Sequence, residues 1–503
     1  MSMDLTLLNK KFPGGLHESS MIDTDYKKGN IHWVTFDGAQ CPICHHTDWC
    51  LVNATGTKVI CMRSTNDNKP KVAGGHLFNI NGGKKVEFDP SKVNNNLTVT
   101  SANDDQKDVL YRLVLLAYPL AKHHYDALIN RGLTSSEILL HGTRGFGSFY
   151  KSKKGIQEYN ISPFKAAKFD ISSSNKGYVN SQWKVLLENV GVPTESWKGV
   201  PGFYLKKIKL EKSISFEYDR GNKKYDIEPG VYSYPVFSGS TDGMLIPYYN
   251  LQNEIVGFQT RVDHVSIKAK ITEKPKNWQV KVYFAYGTNK YHVKVFNKAN
   301  PYGKEIAHGI ISNKSENPII IKCGVLGNDK IVFKPVYGGK YYWVSSANKL
   351  MGSSDKTPIQ VAYQHTIAKL KPYDKKLIDY INEEKAVWLT EGGLKALVAS
   401  AKLPNNFSEE DLNRYGHDFL AVAGVASYKK FIPALEKLHV KRVTVAFDMD
   451  FIKNPQVSDH YKSMINLLHE KGYKVTMALW DPKKAKGIDD ALVARTEIRF
   501  KEI

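Results

Sequence analysis

From Lys385 onward the chain alternates strand-like and helix-like segments, and this alternation restricts the fold more than any other feature. Lys385–Thr390 is a β-rich run ending at Glu391, and Gly392–Ala401 has helical spacing. Phe419–Ala423 reads as a strand ending at Gly424, and Ser427–Leu438 as a helix. Arg442–Phe447 is a strand ending at Asp448-Met449-Asp450, Val457–Lys471 a helix and Lys474–Leu479 a strand. Parallel strands need crossover connections, so this series predicts a parallel sheet with helices on its faces.

Ligands of open α/β sheets gather at the carboxyl ends of the strands. Glu391 ends the first strand, Asp448 and Asp450 end the third, and Asp489 and Asp490 follow the last in Lys486-Gly487-Ile488-Asp489-Asp490. Alternation within Asp-Met-Asp lets both carboxylates face one ion while Met449 points away. Oxygen-only ligands suit Mg²⁺ or Mn²⁺, which orient and neutralise phosphates in phosphoryl transfer. One acidic residue at a strand end is more simply a helix cap. The two motifs on one small sheet favour metal.

Four of the five cysteines lie between positions 41 and 61, as Cys41-Pro-Ile-Cys44, Cys50 and Cys61. The first pair is a knuckle that points two thiolates at one ion. Leu51–Ile60 reads as a β-hairpin with Thr55-Gly56 at its turn, which returns Cys61 to the knuckle. Four ligands make a closed, structural zinc ribbon. His45, His46 and His76 are alternative ligands, with Cys50 the thiolate they would replace. Trp49 and Arg63 border the site, placed to touch bases or to pack the ribbon. A secreted disulfide scaffold would use more cysteines and spread them, so the cluster points to a reducing, cytoplasmic setting.

Lys plus Arg number 71 against 50 Asp plus Glu, a formal charge of +21 over 503 residues. Such a field favours polyanions, chiefly nucleic acid. With 28 Tyr, 21 Phe and 8 Trp the chain has ample apolar surface for folding. No stretch approaches a membrane span, and the start MSMDLTLLNKKFPGG lacks the apolar core of a signal peptide.

The expected organisation is an arm over 1–30, the ribbon over 31–90, a polar linker over 91–106, a basic middle over 107–380 and the α/β unit over 381–503. Leu110, Leu113, Leu116 and Leu120 predict a helix over about 106–130, and Thr134 with Glu137 predicts a capping box. From about 145 to 350 the texture is β. Trp278–Phe296 alternates, with Val280, Val282 and Phe284 on one face, Lys281 and Tyr283 on the other, and Gly287 at the turn. A basic, aromatic sheet of this kind can stack bases, although solvated lysines on a two-faced sheet would look the same. The fold class is therefore multidomain α+β: ribbon, mixed β-rich middle, and a C-terminal α/β domain with a parallel sheet.

Glu391-Gly392 after the first strand and Asp448-Met449-Asp450 after the third resemble the Toprim domain, over about residues 380–497. Gly243-Met-Leu-Ile-Pro247, Ile255-Val-Gly-Phe-Gln-Thr-Arg261 and Gly339-Lys340 through Ser346 resemble the segments that precede Toprim in DnaG-type primases. Arg131-Gly-Leu and Gly199-Val-Pro-Gly-Phe203 are similar to Toprim-like primases of phages and mobile elements. The order of ribbon, basic core and Toprim completes the resemblance. Two positions depart from it: Lys395 stands where these enzymes carry an acidic residue, and Gly487-Ile-Asp489 where they carry Asp-Pro-Asp. Residues 264–337 read as an insertion.

The resemblance implies a primase that makes short RNA primers on single-stranded DNA from ribonucleoside triphosphates. Glu391, Asp448 and Asp450 would be catalytic and, with Asp489, hold Mg²⁺ or Mn²⁺. Arg261, Lys340 and Lys395 would hold template or nucleotide phosphates. Cys41, Cys44, Cys50 and Cys61, with His76 as the substitute, would hold one zinc. No G-x4-G-K-[ST] loop is present, so a replicative helicase would be a separate partner. The setting implied is the cytoplasm of a bacterial host. A Toprim-type nuclease and a catalytically degenerate single-stranded-DNA-binding protein of replication or defence are the alternative readings.

Overall fold

The computed structural model describes residues 8, 11–13, 16–25, 29–36, 38–47, 49–64, 70–72, 75–80, 101–139, 145–149, 187, 190–193, 195–210, 214–218, 223–227, 229–237, 242–298, 300–311, 318–347, 349–354, 357–449 and 455–503. Asp450 and residues 91–100 of the expected linker lie outside them.

The chain is mixed α/β and multidomain. Its N-terminal unit is one antiparallel sheet of β1 (Leu16–Asp25), β2 (Gly29–Phe36), β3 (Leu51–Asn53), β4 (Lys58–Cys61), β5 (Lys71–Val72) and β6 (Gly75–Asn79), in the order β1-β2-β3-β4-β6-β5. Residues 16–25, expected in an arm, instead pair with β2 from Leu16↔Phe36 to Asp25↔Gly29. Ladder pairing with a neighbour overrides a polar local sequence. Trp33, Val34 and Phe36 of β2 are buried and anchor the sheet.

Two helices follow, α1 (Asp104–Ala117) and α2 (Lys122–Asn130), where one was expected. Pro119 causes the break, because it lacks an N–H and excludes the helical conformation from the residue before it. Tyr118 indeed ends α1 at φ −119°, ψ 70°. Asn103 caps α1 by accepting the Gln106 N–H at 2.9 Å. Leu110, Leu113 and Val114 form the buried stripe, whereas Leu116 is 45% exposed. The expected capping box of Thr134 and Glu137 closes the one-turn helix Ser135–Ile138.

The middle unit centres on β7 (Gly147–Phe149), two hairpin pairs, β8 (Phe203–Leu210) with β11 (Gly230–Phe237) and β9 (Ile214–Tyr218) with β10 (Lys223–Ile227), and the strands β12 (Gly243–Tyr249) and β13 (Ile255–Val262). Between β13 and β20 (Tyr341–Trp343) comes the insertion, with β14 (Ile267–Glu273), β15 (Gln279–Phe284), β16 (Lys290–Asn297), β17 (Asn300–Ile310), β18 (Ile319–Ile321) and β19 (Ile331–Tyr337). These six form two three-stranded sheets, β14-β19-β18 and β15-β16-β17, packed over Val293, Val295, Ile331 and Phe333. The parent sheet has the order β20-β13-β12-β7. Every residue of β12 is buried. Leu245 and Tyr249 pack with Leu110 and Tyr111 of α1. Met244, Ile246 and Tyr248 pack on the opposite face with Leu394 and Val398 of the C-terminal unit.

The C-terminal sheet is built from β21 (Gln360–Ala362), β22 (Lys385–Glu391), β23 (Asp418–Val422), β24 (Val440–Val445), β25 (Lys474–Leu479) and β26 (Arg499–Glu502), in the order β21-β23-β22-β24-β25-β26. Its helices include α3 (Gly393–Lys402), α4 (Glu409–Tyr415), α5 (Phe431–Lys437), α6 (Pro455–Glu470) and α7 (Ile488–Val493). β23, β22, β24 and β25 run parallel, and β21 and β26 close the edges antiparallel. The four central strands of the expected sheet are parallel, its edges are antiparallel, and it recruits residues from 360, before the expected start at 381. Val387 and Leu389 of β22 enter the core under α5 and α6, while Trp388 enters the one under α3, α4 and α7. Burial on both faces explains the continuous apolar run of this strand. Trp388 is fully buried and donates to the Gly416 carbonyl at 2.8 Å, so its removal would cost about 3–5 kcal/mol. Among the described residues, no helix is long and apolar enough to cross a membrane.

Candidate functional site

Two clusters of chemistry-bearing residues stand out. The first is the cysteine cluster. Asn53 shapes the hairpin between β3 and β4, its Oδ1 accepting the Thr57 and Lys58 N–H groups at 2.8 and 2.7 Å. Gly56 supplies the left-handed turn at φ +64°. The turn sets Cys61 beside Cys50, and the knuckle brings Cys41 and Cys44 to both. All four thiols are buried, with sulfurs within 4.8 Å of one another. Cys44 Sγ lies 3.6 Å from Cys50 Sγ, which lies 3.9 Å from Cys61 Sγ. Tetrahedral zinc with Zn–S bonds of about 2.3 Å needs sulfur–sulfur edges of about 3.8 Å, so the donors fit that ion. The Met62 N–H approaches Cys50 Sγ at 3.4 Å. Hydrogen bonds from neighbouring thiols hold Cys44 and Cys61 below the ordinary thiol range, while burial pushes Cys41 up.

His76 is not one of the clustered ligands, although it faces Cys61 in the β4–β6 register and its buried Nδ1 has no hydrogen-bond partner. His46 donates from Nδ1 to the Cys44 carbonyl at 2.7 Å. Arg63 is only 3% exposed, which removes it from any nucleic-acid surface.

The second cluster lies at the carboxyl ends of β22 and β24. Glu391 ends β22, and the chain turns sharply at Gly392 (φ +86°) into α3. Asp448 follows β24 and Asp489 opens α7. Lys395, in the first turns of α3, forms an ion pair with Asp448 Oδ1. Lys486 Nζ lies 3.8 Å from Asp448 Oδ2. Gly487 fills the space between them: a Cβ there would lie 2.7 Å from Asp489 Oδ1, 3.0 Å from Lys395 Cε and 3.2 Å from Asp448 Oδ1. Burial works to lower the Lys395 pKa, but Asp448 and Glu391 outweigh it and hold the ammonium above its usual range. Met449, between the expected ligands, is buried in the core.

Arg131 reaches this cluster from the end of α2. Its guanidinium donates to Asp489 Oδ2 at 2.8 Å, and Asp489 is 2% exposed. Gly132, at φ +92°, allows the approach, since a Cβ there would lie 2.8 Å from Val493 of α7. Burial opposes the Arg131 charge, yet Asp489 and Tyr341 hold it above the usual range. Burial also raises the Asp489 pKa against the pull of Arg131. Sequence reasoning missed Arg131, Lys486 and Gly487 as site residues. The signal for Arg131 was the basic residue before a helix-ending Gly; its partner, 358 residues away, left no local trace.

The middle sheet roofs the cluster. Tyr248 of β12 accepts the Gly393 N–H at 3.1 Å and donates to Gln259 at 2.8 Å. Arg261 shares this face, opposite Met244 and Tyr341 in the register, and its buried Nε has no hydrogen-bond partner. Lys340 is exposed beside it, its carbonyl accepting the Val262 N–H at 3.0 Å. Lys340 stands level with Val262, the residue after Arg261, while Lys395 is committed to Asp448.

Among the described residues, Glu391, Asp448 and Asp489 do not converge as the cysteines do. The carboxylates of Asp448 and Asp489 are instead faced by Lys395, Lys486 and Arg131. A third group, His123, His124 and Asp263, does converge. There His124 already uses both ring nitrogens, with Ser148 Oγ at 2.7 Å and Asp263 Oδ1 at 2.6 Å, and serves to clasp α2 to the end of β13.

An open α/β sheet with acidic side chains at its strand ends, joined to a four-cysteine ribbon sheet, defines the class of architecture. Residues 379–498 match the family described as "Domain of unknown function (DUF3854)". No curated protein and no solved structure matches the chain.

Proposed function

We propose that the chain is a DnaG-type primase with a C-terminal Toprim domain, making short RNA primers on single-stranded DNA for a phage or mobile element in the bacterial cytoplasm. The observation that carries the reading is the placement of Glu391 and Asp448 at the carboxyl ends of adjacent parallel strands, with Lys395 and Lys486 on Asp448 and Arg131 on the nearby Asp489. Oxygen-only donors there suit a hard cation, and Glu391 and Asp448 would hold Mg²⁺ or Mn²⁺, with Asp450 outside the described residues. Such an ion stabilises charge on a transferring phosphoryl group.

The chain's own residues perform the binding. A nucleoside triphosphate is a natural counter-ion for Lys395 and Lys486, and on binding it draws their ammonium groups from Asp448 toward its phosphates. That exchange frees the Asp448 oxygens as the negative charge of the substrate arrives. Arg131 stays on Asp489 and holds α7, with Gly487, against the site. Arg261 and Lys340 lie where the template or the nucleotide would cross the roof. The ribbon, closed by zinc, would hold the template, and a separate helicase would deliver it.

A catalytically silent single-stranded-DNA-binding role has one specific observation behind it: Lys395, which stands where the resemblance implies an acidic residue, forms an ion pair with Asp448. Incubation of the full chain with single-stranded DNA, Mg²⁺ or Mn²⁺ and labelled ribonucleotides separates the readings. Short products that vanish in Asp448→Asn support the primase. Template cleavage without synthesis replaces it with the nuclease, and binding with neither activity leaves the silent role.

A further inference from the structure

The insertion concentrates the basic charge of the chain. Residues 264–337 hold 13 lysines against four acidic residues. One face of β15-β16-β17 packs inward through Val280, Val293 and Val295. The other carries Lys281, Tyr283, His292, Lys294 and Phe296. Cross-strand partners share a face, and here Lys281 stands directly opposite Lys294 and Tyr283 opposite His292.

Like charges placed directly opposite each other destabilise a sheet. Glu305 on β17 compensates Lys294, but it also serves His292 at 3.2 Å and His308 at 3.4 Å. Lys281 has instead the ring of Phe296, 5.0 Å from its ammonium to the ring centroid. Tyr283 is 44% exposed, although a tyrosine on a folded sheet could as well turn inward. The face thus combines opposed lysines with an accessible aromatic ring at strand spacing. That combination suits a polyanion whose bases are free to stack, which is a single strand and not a duplex.

We propose that the outer face of β15-β16-β17 is a binding platform for single-stranded DNA, distinct from the cluster at the strand ends. Lys281 and Lys294 take two backbone phosphates, and Tyr283 stacks a base. The choice of DNA rests on the primase reading; the platform itself does not.

The test is fluorescence anisotropy of a labelled oligothymidylate with the full, zinc-loaded chain across a salt series. Lys281→Ala/Lys294→Ala should weaken binding at least about tenfold at low salt and make the salt slope shallower by about 1.4, at about 0.7 per phosphate contact. Tyr283→Ala should weaken binding at least about fivefold with the slope unchanged. Lys270→Ala/Lys334→Ala, a charge-matched change at the directly opposed lysine pair on the other sheet of the insertion, should keep wild-type affinity within about twofold. Zinc content and circular dichroism confirm that each variant is folded. Wild-type affinity and slope in the first variant, an equal loss in the charge-matched one, no effect of Tyr283→Ala, or equal affinity for duplex DNA would each overturn the proposal. Primer synthesis is not read, so a chain that makes no primers leaves the result intact.

Discussion

Lys395 and Asp448, 53 residues apart in sequence, meet as an ion pair where α3 and the end of β24 face each other, with side-chain exposures of only 15% and 8%. An internal ammonium stands on a carboxylate that a catalytic cation would use. Lys395→Gln should therefore strengthen Mn²⁺ binding about tenfold, read by electron paramagnetic resonance on zinc-loaded protein, and weaken triphosphate binding by a similar factor. Unchanged Mn²⁺ affinity would mean that the lysine does not compete for the site.

Arg131 pairs with Asp489 at 2.8 Å, and Asp489 is nearly inaccessible. Arg131→Ala leaves a buried carboxylate uncompensated and should cost about 3 kcal/mol in denaturant unfolding. Asp489→Asn added to it should recover part of that loss. A double variant no more stable than the single one would contradict this account.

Gly487 has ordinary backbone angles (φ −107°, ψ 167°), so its role is spatial. In Gly487→Ala the new methyl meets Asp489, Lys395 and Asp448. On the primase reading, primer synthesis should fall at least about tenfold with little change in unfolding midpoint, because the strain falls on side chains that can shift. Full activity would show that the cluster has slack.

Glu137 binds Lys402 of α3 with both oxygens, at 3.0 and 2.8 Å, and so ties the middle unit to the C-terminal one. Burial raises its pKa, but Lys402 and Thr134 outweigh it and leave the carboxyl below its unfolded value of 4.5. A lowered folded pKa contributes stability that is present above that value and is lost as pH falls through the folded pKa. Glu137→Gln should therefore cost about 1–2 kcal/mol at pH 7, and the gap to wild type should close below about pH 4. A gap independent of pH would assign the effect to packing.

Cys50→Ser removes one of the four clustered thiols. Where the wild type takes up one equivalent of zinc, the variant should not, and it should lose the ordered N-terminal sheet, seen as fast hydrogen exchange over 33–61, while 357–449 stays protected. Retention of full zinc by the variant would bring His76 back as a ligand.

The C-terminal strands were legible because a doubly buried parallel strand writes itself as a continuous apolar run, as in Val387–Leu389. The cysteines were legible because ligand spacing is local. The antiparallel edges β21 and β26 were not, since short edge strands are defined by their neighbours. The split between α1 and α2 was encoded by Pro119, but leucine periodicity across it masked the signal. The partnership of Arg131 with Asp489 depends on a close approach of α2 and α7 at Gly132, which no window of sequence contains.

The insertion leaves β13 and returns at β20, and these strands lie side by side, with Arg261 opposite Tyr341. Its neck is pinned by Val262 to Lys340 at 3.0 Å and by Gly338 to Ser266 at 2.8 Å. With its own small core, it is attached like a tool head on a two-stranded handle. Cutting within the neck and closing Asp263 to Lys340 with a short turn would keep the Val262–Lys340 bond and leave the parent sheet hydrogen-bonded as before. The same socket would accept a different head, so what the chain grips can change without any alteration to the residues beneath it.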